Sequence, residues 1–146
     1  MSTPQAVFHE TLSHVIGEAL SAAGYALEPQ TMHQARGLFR YHKALDTARH
    51  AFIEFQTLYH PQSELSRFRV LLLTNSVPVA RQATPVAQAH DLAAVIWHVW
   101  GAEGVLPADS HWWTYKHAAD LAPQLYEAGK LLFGYGVPWL EDRMPE

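Results

Sequence analysis

Three runs of alternating residues, divided by short links, constrain this chain more than any other feature. Arg36 to Lys43 (RGLFRYHK) sets Phe39 and Tyr41 on one side and Arg40 and His42 on the other. His50 to Tyr59 (HAFIEFQTLY) sets Ala51, Ile53, Phe55, Thr57 and Tyr59 on one face and Phe52, Glu54, Gln56 and Leu58 on the opposite one. Such alternation suits a sheet with one buried side. Arg67 to Asn75 (RFRVLLLTN) holds the continuous apolar run Val70 to Leu73, the pattern of a central strand covered at least in part on both faces. The link Ala44 to Arg49 is hairpin-sized, and His60-Pro61-Gln62-Ser63 reads as a turn. The expectation is an antiparallel meander of three to five strands. A short extra strand is placed near Tyr25–Leu27 or Val77–Ala80.

Helices flank this meander on both sides in sequence. Residues 4 to 23 carry an apolar stripe of Phe8, Leu12, Val15, Ile16, Ala19 and Leu20, with Ser2 or Thr3 as cap, Pro4 in the first position and Gly24 as stop. Thr84-Pro85 predicts the opening of a second helix from Val86 to about Trp100, with Leu92, Val95, Ile96 and Val99 on its stripe. A tail helix is predicted from about Asp120, with Leu121, Leu125, Ala128 and Leu132 on one face. Pro123 is tolerated if Asp120 is the cap, because it then takes the third helical position. Gly134-Tyr135-Gly136 reads as the stop, Pro138 as a bar to continuation, and Trp139-Leu140 as apolar anchors beyond it. The fold class expected is α+β: the meander with an N-terminal helix and two C-terminal helices packed on it.

The chain has 146 residues, 49% hydrophobic and 16% charged, which fits one domain over 1–146 with a real core. No repeat, linker or low-complexity tract divides it. Cysteine is absent, which excludes disulfides, thiolate metal sites and a cysteine nucleophile. The N-terminus has no basic segment followed by a long apolar run, and no stretch is apolar enough to span a membrane, so a cytoplasmic protein is expected. The formal net charge of −4 is no footprint for nucleic acid, although Arg36, Arg40, Lys43, Arg49, Arg67, Arg69 and Arg81 gather in the strand region.

Catalytic signatures are missing. None of the ten histidines forms the i,i+4 pair of a helical HExxH site. Neither GxSxG nor SxxK occurs, nor does GxGxxG or GxxxxGK[ST]. No catalytic residue, metal ligand set or cofactor is therefore assigned. The chemistry-bearing residues that the alternation does bring together are Arg40, His42, Glu54 and Gln56, a polar patch on the face of the sheet opposite the core. Arg40 and Glu54 are near neighbours across the hairpin. Tyr59 stands at the end of the same strand. Trp112 and Trp113 are adjacent and point in different directions, so at most one is fully inside; the pair reads either as packing or as an aromatic binding wall. Beside this stands a plainer reading, in which Glu54 is a solvent-face carboxylate paired with Arg40 and the tryptophans are packing.

The order of these landmarks resembles a group of small bacterial α+β proteins classed as a domain of unknown function. The matching positions are Gly24-Tyr25, Phe39-Arg40, Gln56, Trp112-Trp113 and Pro138-Trp139-Leu140, over about Leu12 to Leu140. The resemblance brings no catalytic residue. It implies an immunity or interaction protein of bacterial conflict systems. The leading expectation is thus a non-enzymatic binding protein with a protein partner. The alternatives are a small enzyme or ligand-binding protein that takes a small molecule in a pocket of Arg40, His42, Glu54, Gln56 and Tyr59, and, third, a weak nucleic-acid binder.

Overall fold

Thr3 opens the first helix of the computed structural model, which describes residues 3–47, 49–60, 65–75 and 89–143. Its hydroxyl accepts from the Ala6 N–H at 3.0 Å, and Pro4 takes the first helical position. Helix α1 runs through Pro4–Leu12, a widened π turn at Ser13–Gly17 and Glu18–Ala22. Gly24 ends it with a φ of 95°, while the Tyr25 N–H returns to the Leu20 carbonyl at 2.9 Å. Strand β1 (Ala26–Leu27) and a short helix α2 (Thr31–Ala35) lead into the meander of β2 (Leu38–Ala44), β3 (His50–His60) and β4 (Leu65–Asn75).

Strand β2 begins two residues later than its alternation predicts, and Gly37 is the reason. Its φ is 85°, and its carbonyl accepts both the N–H and the hydroxyl of Thr57, at 2.9 and 3.0 Å. A Cβ at this position would collide with the Thr57 hydroxyl. That clamp sets the β2–β3 register, from Leu38 opposite Gln56 to Ala44 opposite His50. Strand β4 pairs with β3 from His50 opposite Asn75 to His60 opposite Leu65.

The sheet is antiparallel, in the order β1-β2-β3-β4, and two short strands share the outer edge of β4. Strand β5 (His90–Asp91) pairs at Leu71 and Leu72, and β6 (Trp113–Tyr115) pairs at Ser66 to Phe68. Strand β6 lies in a stretch expected to be loop and is the sixth strand of the sheet. The extra strand expected near Tyr25–Leu27 is β1; the alternative at Val77–Ala80, and the turn at Pro61 to Ser63, lie outside the described residues.

The second helix departs from its expected start. Thr84 to Gln88 lie outside the described residues, and His90–Asp91 belongs to β5. Helix α3 starts at Leu92 (Leu92–Ala94, then a π turn Val95–Val99), because Asp91 is extended and its carboxylate accepts the Ala93 N–H at 2.8 Å. The tail helix α4 starts at Ala118, two residues before the expected cap. Asp120 is instead its third residue, and it reaches back to the His117 N–H at 3.2 Å. Pro123 consequently lies inside the helix, where it removes one internal hydrogen bond. The expected stop at Gly134 to Gly136 is a continuation. Helix α4 passes from Ala118–Leu131 through a π turn, Leu132–Gly136, into Val137–Leu140, with Pro138 in the first turn of that last segment. Asp142, at a φ of 56°, ends it.

All of this packs on one face of the sheet. Phe39, Tyr41, Ile53, Phe55, Phe68, Val70 and Leu72 from the strands join Phe8, Leu12, Ile16 and Leu20 of α1 and Leu121, Leu125, Ala128 and Leu132 of α4 in one buried cluster. Gly136 lets α4 settle: a Cβ there would stand 3.0 Å from the Leu92 methyl and 3.2 Å from that of Leu72. Among the described residues, no helix is long and apolar enough to cross a membrane.

Candidate functional site

The register of β2, β3 and β4 builds a polar row across the face that the helices leave. Arg40 is opposite Glu54, and Gln56 is opposite Arg69. Glu28 joins at one end because its N–H donates to the Arg40 carbonyl at 2.8 Å. Its carboxylate then lies 3.7 Å from Arg40 Nη1, and Glu54 Oε1 lies 3.5 Å from Nη2. Gln56 Nε2 donates to Glu54 Oε2 at 3.5 Å, while its Oε1 accepts from Arg69 Nε at 2.9 Å. The row ends at Trp112. The Arg67 and Arg69 guanidinium carbons stand 4.7 and 4.8 Å from its ring centre.

The inner part of this row is not the solvated patch that the alternation suggests. Arg40 and Glu54 are 4% and 2% exposed, next to Phe52 and Leu71, which are buried as well. Charges at this depth persist because each has a counter-ion. Glu28 carries part of the strain. Burial raises its pKa, the Arg40 charge draws it back, and the Glu54 charge pushes it up again.

His42 shares this face but sits beside the row. Its Nε2 lies 2.8 Å from His50 Nδ1, and its ring stacks on Phe52 at 5.0 Å. A single N–H bridges the two imidazoles, so the contact holds while at least one of the two nitrogens is unprotonated. Burial, then the His50 charge, lowers the His42 pKa. Tyr59 and Trp113 stand on the helix side and do not join the row. The Tyr59 hydroxyl donates to the Pro4 carbonyl at 3.3 Å. Trp113 is 2% exposed and stacks on Phe68 at 5.4 Å and 14°. Of the residues singled out from sequence, Arg40, Glu54, Gln56 and Trp112 thus lie in one row, and His42 borders it.

Three members were not anticipated. Glu28 reads from sequence only as part of a chain break before Pro29. Arg67 and Arg69 read from sequence as part of a local basic bias, and their i,i+2 spacing with Gln56 opposite Arg69 puts both on the face of Gln56. Asp91 sits nearby, where burial raises its pKa and the Ala93 N–H and the Arg69 charge oppose that rise.

Other clusters have plain structural work. Glu141 accepts from the Tyr25 hydroxyl at 2.9 Å, Lys43 Nζ at 3.1 Å and Arg143 Nε at 3.1 Å, and so ties the end of α4 to β2. Burial would raise its pKa, but these bonds and the Lys43 charge outweigh it and lower it. His98 and Asp109 form an exposed pair at 2.9 Å. The groove between α1 and α4, lined by Val15, Ile16, Ala19, Tyr126, Lys130 and Phe133, is mostly apolar, with Lys130 its one charged side chain among the described residues. Among the described residues, no three His, Cys, Asp or Glu side chains are arranged to hold a metal ion.

No protein-family model matches the chain, and neither the curated proteins nor the solved structures contain a match to it.

Proposed function

We propose that this chain is a non-enzymatic binding protein whose contact point is the Trp112 end of the polar row. The observation that carries this reading is the state of the row itself. Its inner groups spend their charge on one another: Arg40 lies between Glu28 and Glu54, and Gln56 links Glu54 to Arg69. Acid–base chemistry on a substrate needs a group free to take or give a proton at the reacting atom, and a closed ion row does not offer one. Its outer groups are different. Arg67, Arg69 and Trp112 are half-buried, held against one another, and of the residue types that dominate binding energy at protein interfaces. The resemblance to small bacterial α+β proteins of unknown function, some of them suspected immunity proteins, is in keeping with an immunity-like role with a protein partner.

The test is affinity capture by the tagged chain in the cell that makes it, with Trp112→Ala run in parallel after circular dichroism has established equal folding. The expected result is a partner retained by the parent chain and lost by Trp112→Ala. Equal capture by both would overturn the assignment of the contact point. Turnover of a substrate by the purified chain, with no partner recovered, would overturn the binding reading.

A further inference from the structure

We infer that Arg67 and Arg69 form a receptor for a carboxylate, supplied by an acidic segment of the partner protein. This deepens the binding reading above and rests on it. Three other cations beside the sheet have acids. Arg40 has Glu28 and Glu54, Lys43 has Glu141, and Arg49 has Asp46, all within 4.0 Å. Among the described residues the Arg67 side chain makes no hydrogen bond and no ion pair, its Nε is buried without an acceptor, and its one cation–π contact is with the Trp112 ring, 4.7 Å from the ring centre. Arg69 gives its Nε–H to a neutral acceptor, Gln56 Oε1, and has no carboxylate of the described residues at ion-pair distance.

Two like charges are thus fixed side by side. They are two residues apart on β4, they project from one face, and they share one indole. Cation–π attraction holds such a pair with about 0.5–2 kcal/mol for each cation. It leaves the buried Arg67 Nε–H without an acceptor, and it leaves the mutual repulsion in place. A carboxylate against the two guanidiniums satisfies both, with the forked geometry that arginine and carboxylate share. Trp112 supplies an apolar wall for the methylene stem of a glutamate. Asp91 lies in the field of Arg69, and Asp109 in that of Asp91, so the pair suits a single carboxylate better than a polyphosphate. Nucleic acid needs a wider run of cations than these two.

The test uses the isolated chain at low salt, labelled with 15N, and a capped hexaglutamate peptide as probe. The expected result is movement of the Arg67 and Arg69 Nε signals and of the Trp112 indole signal. The double variant Arg67→Gln/Arg69→Gln, with an otherwise unchanged spectrum, should lose at least about tenfold in affinity. Arg49→Gln, whose exposed pair is remote from Trp112, should bind as the parent does. Absence of shifts at millimolar peptide, shifts centred elsewhere, or equal affinity in the double variant would each overturn the inference. So would tighter binding of inorganic phosphate or of a thymidine oligonucleotide than of the peptide. If the peptide fails while capture of the natural partner still depends on Trp112, the carboxylate chemistry falls and the binding reading stands.

Discussion

Removal of Glu54 alone should destabilise the chain more than removal of Glu54 and Arg40 together. Consider Glu54→Leu. The Glu54 side chain is 3% exposed, so its loss strips a counter-ion from a guanidinium that is equally buried. Breaking a buried pair in this way costs about 3–5 kcal/mol. The low end applies, because Arg40 keeps Glu28 at 3.7 Å and the lost contact, at 3.5 Å, is long for an ion pair. The expected loss is therefore about 3 kcal/mol. Arg40→Met should cost more, about 4–5 kcal/mol, since it leaves Glu28 and Glu54 buried together with no cation between them.

The double variant Arg40→Met/Glu54→Leu removes both charges at similar volume and should lie within about 2 kcal/mol of the parent chain. Its residual cost comes from Gln56 Nε2, which loses an acceptor, and from Glu28, which loses its cation but keeps some contact with water. Urea unfolding at pH 7, followed by both far-ultraviolet circular dichroism and tryptophan fluorescence, measures all four chains and checks two-state behaviour. The coupling energy should exceed about 3 kcal/mol. Additive single effects, or a Glu54→Leu cost below about 1 kcal/mol, would refute the view that these side chains form one buried unit.

Three further outcomes follow from named contacts. Gly134→Ala and Gly136→Ala should act in opposite directions: no atom lies within 4 Å of the first Cβ position, so helix propensity can stabilise by up to about 1 kcal/mol, while the second meets Leu132, Leu92 and Leu72 and should cost about 1–3 kcal/mol, as read by melting temperature. Tyr25→Phe removes a hydroxyl bonded to the Glu141 carboxylate and should cost about 1.5 kcal/mol in urea unfolding; no change would mean that Lys43 and Arg143 suffice to hold the end of α4. His42 and His111 both have pKa values lowered by burial, so at these two sites the unfolded chain binds more protons than the folded one below about pH 6.5, and the stability they contribute above that pH is lost as pH falls. Urea midpoints should therefore decline from about pH 7.5 to 6, above the ordinary carboxylate range, and His42→Asn should flatten the slope; a flat parent profile would contradict the burial argument.

The meander was legible because alternation is a property of the strand itself. Once β2, β3 and β4 are strands joined by short links, faces and pairing follow, and Arg40 opposite Glu54 follows with them. For Trp112 and Trp113 adjacency alone says that at most one is fully inside, and Trp113 is the buried one. What alternation could not supply was the burial of the second face. Period two separates faces but does not say how wet each one is, and so a carboxylate between Phe52 and Gln56 reads as solvated although it is 2% exposed. Helix ends were the other weak point. Gly134 and Gly136 carry a strong stop pattern, and the packing of Gly136 against Leu72 and Leu92 overrode it. Asp91 caps α3 because the pairing of β5 with Leu71 and Leu72 fixes it in the extended geometry that a cap requires.

The composition of the site was hidden by where its members lie in the chain. Glu28, Arg69 and Trp112 are remote from one another in sequence, and each has an ordinary local explanation: a break before Pro29, a strand charge, a packing aromatic. They meet only because β1 ends beside Arg40 and because β5 and β6 reach β4 on either side of Arg69. Two short strands on one edge bring the chain at Asp91 and the chain at Trp112 to the same arginine. That convergence separates the two halves of the row in kind. Toward Glu28 the charges balance within the fold, and their loss should be read in stability. Toward Arg67 they do not balance, and their loss should be read in binding, with little cost to the fold. A variant pair that reverses this division, with Glu54→Leu stable but unable to bind and Arg67→Gln unstable but competent, would show that the functional end of the row is the buried one.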